Sequence, residues 1–259
     1  MSESFKDHFS TVAGHYAGNR PGYPPELFVW LAGQCAERGL AWDCGAGTGQ
    51  ASVELARHFE RVEATDASMA QIAQATPCPG VVYRQARAGA SGLVLGSVDL
   101  IVVAQALHWF DLEAFYAEVR RVLKPGGVLA VWSYGVLSVE GEEVNTLVQD
   151  FYHHEVGPHW PPERYHVENG YRDLSFPFAA IPAPTFAMRA RWHLDSLLGY
   201  FSSWSATAQY CKVRGIDPVA LLRPRLRAIW GDVDRRRGVA WPLALRVGRV
   251  AASSLQSQS

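Results

Sequence analysis

The run Val98-Asp99-Leu100-Ile101-Val102-Val103-Ala104 is apolar at nearly every position. A strand with one wet face alternates apolar and polar side chains, whereas a strand covered on both faces does not. This segment therefore predicts a strand inside a sheet that carries helices on each side. The flanking segments agree. A helix is expected from about 24 to 38, where Leu27, Trp30 and Leu31 recur at helical spacing. A short strand, 40–44, enters a glycine-rich turn. A helix follows over 50–59, with Val53, Leu55, Ala56 and Phe59 apolar, then strand 61–66, helix 68–75 and strand 80–85. After the 98–104 strand come helix 112–123, a Pro-Gly-Gly turn over 124–127 and strand 128–133. Strands alternating with helices imply a doubly wound, Rossmann-like, mostly parallel α/β sheet.

After residue 134 the pattern changes. Residues 135–184 are rich in Pro, His, Trp and Tyr without a clear period, and read as a helical or loop lid inserted over one end of the sheet. Strand 185–194, helices 195–203 and 218–230, and strand 239–250 follow, which brings the sheet to seven strands. Pro242 sits awkwardly in the last one, because proline cannot donate to a ladder.

Composition excludes several classes. With 48% hydrophobic and 19% charged residues, the 259-residue chain can bury a sizeable core. A net charge of −1 argues against a nucleic-acid partner, and the basic run Arg235-Arg236-Arg237 follows Asp232 and Asp234. No apolar run is long enough to span a bilayer, and the opening MSESFKDHFS lacks a signal-peptide pattern, so a cytoplasmic protein is expected. Cys35, Cys44, Cys78 and Cys211 form neither a CxxC pair nor a disulfide framework. His153, His154, His159 and His166 are irregularly spaced without a supporting acidic or cysteine set, so no metal site is expected. Nothing in the sequence sets the oligomeric state.

The loop Asp43-Cys44-Gly45-Ala46-Gly47-Thr48-Gly49 lies between an expected strand and an expected helix. Glycines allow a tight turn and a close backbone approach to a ligand, and the helix beyond offers free N–H groups. The spacing is GxGxG, whereas dinucleotide enzymes favour GxGxxG. Asp66 ends the next strand, where a carboxylate can accept both ribose hydroxyls of an adenosine. Taken singly, the loop is a strand–helix turn and Asp66 a helix cap. Taken together, they sit where a nucleoside site needs them.

The segments WDCGAGTGQ, ATDAS, VDLIVVAQALHWFD and RRVLKPGGVLAVW resemble, in order and spacing, the motifs of class I S-adenosylmethionine-dependent methyltransferases across about 40–134. HYAGNRPGYP near the start, and Trp204-Ser205-Ala206 followed by AWPLALRVGR near the end, look like the small-molecule branch that includes trans-aconitate methyltransferase. The resemblance implies methyl transfer to an oxygen, a carboxylate above all, of a small molecule. The corresponding division is a lid helix and cofactor core over 1–134, an acceptor-covering insertion over 135–184, C-terminal strands with a helical cap over 185–252, and a disordered tail over 253–259.

The resemblance also implies roles. Gly45, Ala46, Gly47 and Gly49 would pass under the methionine part of the cofactor. Asp43 would organise the loop or reach the amino group through water. Asp66 would bind the ribose diol, Ala67 and Met69 would flank the adenine, and Gln105 would face the methionine amino group. Tyr16 and Arg20 would close over the cofactor, an arginine fork suiting the methionine carboxylate. The family usually has an acidic residue after the third strand to bind the adenine amine. Here the segment is Gln85-Ala86-Arg87-Ala88-Gly89-Ala90, so the adenine would be held by backbone near Ala88. His108, just past the fourth strand, is the candidate base or acceptor contact, against the alternative of a locally packed histidine. Trp109, Trp160, Arg164 and Tyr171 are candidate acceptor-binding residues. Two other readings stay open at this point. A nicotinamide-dependent oxidoreductase is opposed by the glycine spacing and by the lack of a Tyr-x-x-x-Lys pair. A non-catalytic protein of the same fold is encouraged by the missing adenine carboxylate.

Overall fold

A computed structural model describes residues 21–232 and 234–250. The chain forms two compact units. Among the described residues, the first takes Tyr23–Ser133, Asn169–Phe186 and 244–250, and the second takes Tyr134–Glu168 and Ala187–Leu243.

The first unit holds α1 (Pro25–Gly33), β1 (Leu40–Cys44), α2 (Gln50–Leu55), β2 (Arg61–Asp66), α3 (Met69–Ile72), β3 (Val81–Gln85), β4 (Val98–Ala104), α4 (Leu112–Val122) and β5 (Leu123–Tyr134) up to its penultimate residue. β1 pairs in parallel with β2 and with β4, β2 with β3, and β4 with β5. The order is β3-β2-β1-β4-β5, and then the second half of β9 (Arg237–Arg249). The two-residue β7 (Ala179–Ala180) adds antiparallel to Arg249 and Gly248.

Residues 98–103 of β4 are all buried, as the continuous apolar run requires. Asp99 is the polar exception, and its charge is compensated. Its Oδ2 accepts from the backbone N–H groups of Gly39 and Leu40, each at 2.9 Å, and its Oδ1 lies 2.7 Å from Lys124 Nζ. A buried charge is tolerated when paired and hydrogen-bonded in this way. The contacts also pin the start of β1 and the start of β5 to β4.

Several element boundaries differ from expectation. α1, α2 and α3 are shorter than the sequence suggests, although Phe59 is still buried from the turn that follows α2. The Pro-Gly-Gly segment is not a turn ahead of a strand. Val98 pairs with Leu123 but Leu100 pairs with Val128, so 124–127 bulge out within β5, with Gly126 at φ 76°. A bulge accommodates a proline because the extra residues leave the ladder.

The second unit contains β6 (Ser138–Val139), α5 (Glu142–Asp150) running into a π-helical turn over 151–155, and α6 (Arg164–Glu168). β8 (Ala187–Trp192), α7 (Leu194–Ser202), α8 (Ser205–Arg214), α9 (Pro218–Trp230) and the first half of β9 complete it. β6 and β8 both pair antiparallel with β9. Pro242 faces the first residue of β8, Ala187, and is exposed. The core here is aromatic: the rings of Phe201 and Trp204 are 4.6 Å apart, and those of Trp192 and Trp241 5.1 Å. The described residues hold nine strands rather than seven, the additional β6 and β7 being two-residue pieces. No helix among them is long and apolar enough to cross a membrane.

Candidate functional site

β1 has β2 on one side and β4 on the other, so the strand order reverses at its carboxyl end. Open α/β sheets bind ligands in the crevice at such a point. The loop between β1 and α2 is folded there by its own amides. Gly45 N and Ala46 N donate to Thr65 O at 2.8 and 3.0 Å, and Gly49 N donates to Ala46 O at 2.9 Å. Gly45, Gly47 and Gly49 all have left-handed backbones, with φ of 75°, 56° and 87°. A Cβ on Gly45 would lie 2.6 Å from Ala106 Cβ, and one on Gly49 would run into the Tyr83 ring. A Cβ on Gly47 would meet only Gln71 Oε1, at 3.8 Å. Among the described residues, protein atoms thus crowd the outer two glycines, and the middle one has room for a Cβ.

Two carboxylates flank this loop. Asp43 is fully buried, and its Oδ2 accepts from Ser52 Oγ at 2.6 Å. Its Oδ1 has no hydrogen-bond partner among the described residues. Burial pushes the carboxyl up to about 7, the Ser52 hydrogen bond opposing the rise and the charge of Asp66 adding to it. Asp66 ties the loop to the end of β2: its Oδ2 accepts from Gly47 N at 2.9 Å and its Oδ1 from Ser68 N at 2.8 Å. Each carboxylate oxygen offers about two acceptor sites, so acceptor capacity remains on both.

Beyond Asp66, the carbonyl of Ala67 accepts from Gln85 Nε2 at 2.9 Å, and Met69 at the start of α3 is exposed. Ala88 lies in a tight turn closed by a bridge between Arg87 and Ala90. That turn is clamped onto α4. A Cβ on Gly89 would lie 2.7 Å from Ala114 Cβ. Ser91 donates to Glu118 through both its N–H, at 2.9 Å, and its hydroxyl. Glu118 in turn holds Arg121 at 2.7 Å.

Arg121 first, and then Ser91, hold the Glu118 carboxyl down at about 2 against the opposing effect of burial. A lowered folded-state pKa contributes stability that is complete above the ordinary value of 4.5 and is lost as pH falls toward 2. Glu118→Gln is therefore expected to cost about 2 kcal/mol at neutral pH. Urea unfolding of both proteins should show this gap constant above about pH 5.5 and narrowing at lower pH. A gap that does not change with pH would contradict the assignment.

At the end of β4, Gln105 adopts φ 58°, and its N–H donates to Trp132 O at 2.9 Å. A non-glycine residue in this region is uncommon, and such strain concentrates at functional sites. The next turn, Leu107–Trp109, carries His108, whose Nδ1 is 3.0 Å from Tyr171 Oη. The Trp109 ring lies 4.6 Å from the His108 ring and is exposed.

Among the residues expected from the sequence, Asp43, the glycine loop, Asp66, Ala67, Met69, Ala88, Gln105, His108, Trp109 and Tyr171 all lie in the first unit. Trp160 and Arg164 lie in the second, where the Arg164 guanidinium sits 4.7 Å from the Trp160 ring centroid and its Nε donates to Tyr152 Oη at 2.9 Å. Tyr16 and Arg20 fall outside the described residues. Among the described residues, no three His, Cys, Asp or Glu side chains gather as a metal site would require. The sequence reading missed Ser52, Gln85 and the Ser91–Glu118 pair. A helical spacing from Asp43 to Ser52 is not apparent across a glycine loop, and the other contacts are long-range.

Residues 42–131 match the family model described as a methyltransferase domain. A Dictyostelium discoideum protein named as a methyltransferase is 35% identical over 233 residues, which cover 89% of each chain. A Mycobacterium tuberculosis protein named as a methyltransferase is 40% identical over 128 residues, covering 48% of this chain and 51% of that one. A structure from Anaeromyxobacter dehalogenans, presented as a type II methyltransferase, is 48% identical with a TM-score of 0.86, covering 90% of this chain and 98% of that one. The fold and site define a Rossmann-like methyltransferase, and the chain belongs to the S-adenosylmethionine-dependent methyltransferase family, with S-adenosylmethionine as its cofactor. The oxidoreductase and non-catalytic readings both give way to that assignment.

Proposed function

We propose that this enzyme transfers the methyl group to a carboxylate oxygen of a small molecule, the chemistry of the branch that includes trans-aconitate methyltransferase. The observation that favours this acceptor class is the Tyr171 hydroxyl, 3.0 Å from His108 Nδ1. A histidine serving as general base in a triad is backed at that nitrogen by a carboxylate. A carboxylic acid needs no base, since its reference pKa lies near 4 and it is already a nucleophile at neutral pH. His108 then orients the acceptor, and Trp109, whose ring lies 4.6 Å from that of His108, supplies a further acceptor contact.

The residues present fit the cofactor. The room at Gly47 suits the methionine chain, and the orphaned, buried Oδ1 of Asp43 suits a water-mediated contact to the amino group. Gly45, Ala46 and Gly49 shape the loop around that chain, and Gln105 faces the same amino group. The remaining acceptor capacity of Asp66 suits the ribose diol. Ala67 and Met69 flank the adenine, and the Ala88 backbone meets its edge. Gln85, whose amide nitrogen is spent on Ala67 O, has its amide oxygen for the adenine amine. S-adenosylmethionine supplies a methyl group on a sulfonium that is its own leaving group. The side chains therefore only align the acceptor and exclude water. A net charge of −1 and the lack of a spanning helix among the described residues support a cytoplasmic, small-molecule role without nucleic acid or membrane.

The test is to incubate the enzyme and labelled cofactor with panels of carboxylic acids, phenols and amines, and to detect the products by mass spectrometry. Base-labile methyl esters are expected. On an ester-forming substrate, His108→Ala should raise KM about tenfold or more with kcat little changed. The wild-type rate should stay level across the histidine range. Loss of turnover at unchanged KM would overturn the reading, because a base supplies roughly 10²–10⁴-fold in rate.

A further inference from the structure

We infer that Asp43 is the proton-exchanging group of the cofactor site: its carboxyl is neutral in the free enzyme and releases a proton to solvent as the cofactor's ammonium group binds, so that affinity for the cofactor rises with pH. The inference rests on the reading of Asp43 as a water-mediated contact to that amino group, and adds what its charge does. Asp43 stands in β1, two residues ahead of Gly45, and is fully buried. Ser52 Oγ, 2.6 Å from Oδ2, is its one side-chain partner among the described residues, and Oδ1 has none. An ionised carboxylate buried on these terms is costly, because no cation replaces the water it has lost.

The groups around Asp43 supply no positive charge. β4 sets Val102 opposite it, and α2 contributes Ser52. β2 contributes the carboxylate of Asp66, β3 the phenol of Tyr83, and β1 itself the thiol of Cys44. Burial first, and then the charge of Asp43, raises the phenol and the thiol above their ordinary values, so neither ionises near neutrality. Burial, opposed by Ser52 and reinforced by Asp66, leaves the Asp43 carboxyl at about 7. At pH 6 it therefore holds its proton. A cation brought up to Oδ1 reverses this balance, because a nearby opposite charge favours the ionised carboxylate. The bound enzyme then holds the proton less tightly than the free enzyme. Binding at pH 6 expels it, and affinity climbs with pH until the free carboxyl is itself ionised, above about pH 8.

Titration calorimetry with S-adenosylhomocysteine, run in two buffers of different ionisation enthalpy, counts the protons exchanged on binding. About one proton should leave at pH 6 and almost none at pH 8, and binding should be about tenfold tighter at the higher pH. Asp43→Asn should show neither the proton release nor that pH dependence. Infrared difference spectra give a second readout that needs no variant. With ¹³C-labelled aspartate, the free enzyme at pH 6 should show a protonated aspartic acid band that S-adenosylhomocysteine removes. Binding without proton release at pH 6 would overturn the inference, and so would an acid band unchanged by binding. Proton release that persists in folded Asp43→Asn would also overturn it, by assigning the proton to Asp66 or His108. If that variant does not fold or bind, the infrared spectra of the wild type decide. No binding at any pH would refute the cofactor site itself and this inference with it, whereas binding with a flat pH profile counts against this inference alone.

Discussion

Asp66→Ala is expected to weaken S-adenosylhomocysteine binding by about 100-fold in titration calorimetry, with the protein still folded. Hydrogen bonds to a charged acceptor contribute roughly 1.5–3 kcal/mol each when their loss strands a partner, and the ribose diol presents two donors. Losses are not additive, so about 3 kcal/mol is a reasonable total. The same substitution unties Gly47 N and Ser68 N, which the carboxylate holds at 2.9 and 2.8 Å. The loop keeps its other anchors on Thr65 O, which is why the fold should survive. Asp66→Asn keeps the shape but turns one acceptor into a donor, and should fall between the two. Wild-type affinity in folded Asp66→Ala would refute the ribose assignment.

The second large effect separates the glycines of the loop. Gly47→Val is expected to abolish cofactor binding in a folded protein, whereas Gly45→Val should unfold it or lower its melting temperature sharply. Both residues are left-handed, and a side chain there costs roughly 1–2 kcal/mol, more when β-branched. A domain stable by about 5–15 kcal/mol tolerates that alone. At Gly47 a Cβ would meet only Gln71 Oε1, at 3.8 Å, among the described residues, so the new side chain enters the space assigned to the methionine chain. At Gly45 they overlap Ala106 and come within 3.2 Å of Phe110, adding an overpacking cost of about 1–3 kcal/mol. Circular dichroism and calorimetry on the two variants check the contrast. Normal binding in folded Gly47→Val would mean that the loop is only a turn.

The parallel sheet was legible in the sequence because β4 is apolar at every position but Asp99, which only a strand covered on both faces sustains. The glycine loop and Asp66 were legible because consecutive β-strands bring two short, adjacent sequence signals together. What escaped depended on contacts between distant residues. Ser91 reaches Glu118 across 27 residues, and Tyr171 reaches His108 across 63, so no local period announces either. α5 is a different case. Its buried Val144 and Val148 do sit four apart, but the aromatic and polar residues that follow masked the signal. α8 has no stripe to find: it buries Ala206 and Thr207, and the Thr207 hydroxyl anchors to Phe201 O at 2.8 Å. The bulge in β5 escaped because Pro-Gly-Gly normally marks a turn, and only pairing with β4 shows the strand running through it.

The central claim is that this one crevice, at the carboxyl ends of β1, β2 and β4, holds the cofactor. Hydrogen–deuterium exchange with and without S-adenosylhomocysteine tests it most directly. The account predicts added protection concentrated in 44–49, 66–69, 85–90 and 105–109, with the second unit's α7 to α9 little changed. Protection that avoids those segments, or no change at saturating ligand, would contradict it.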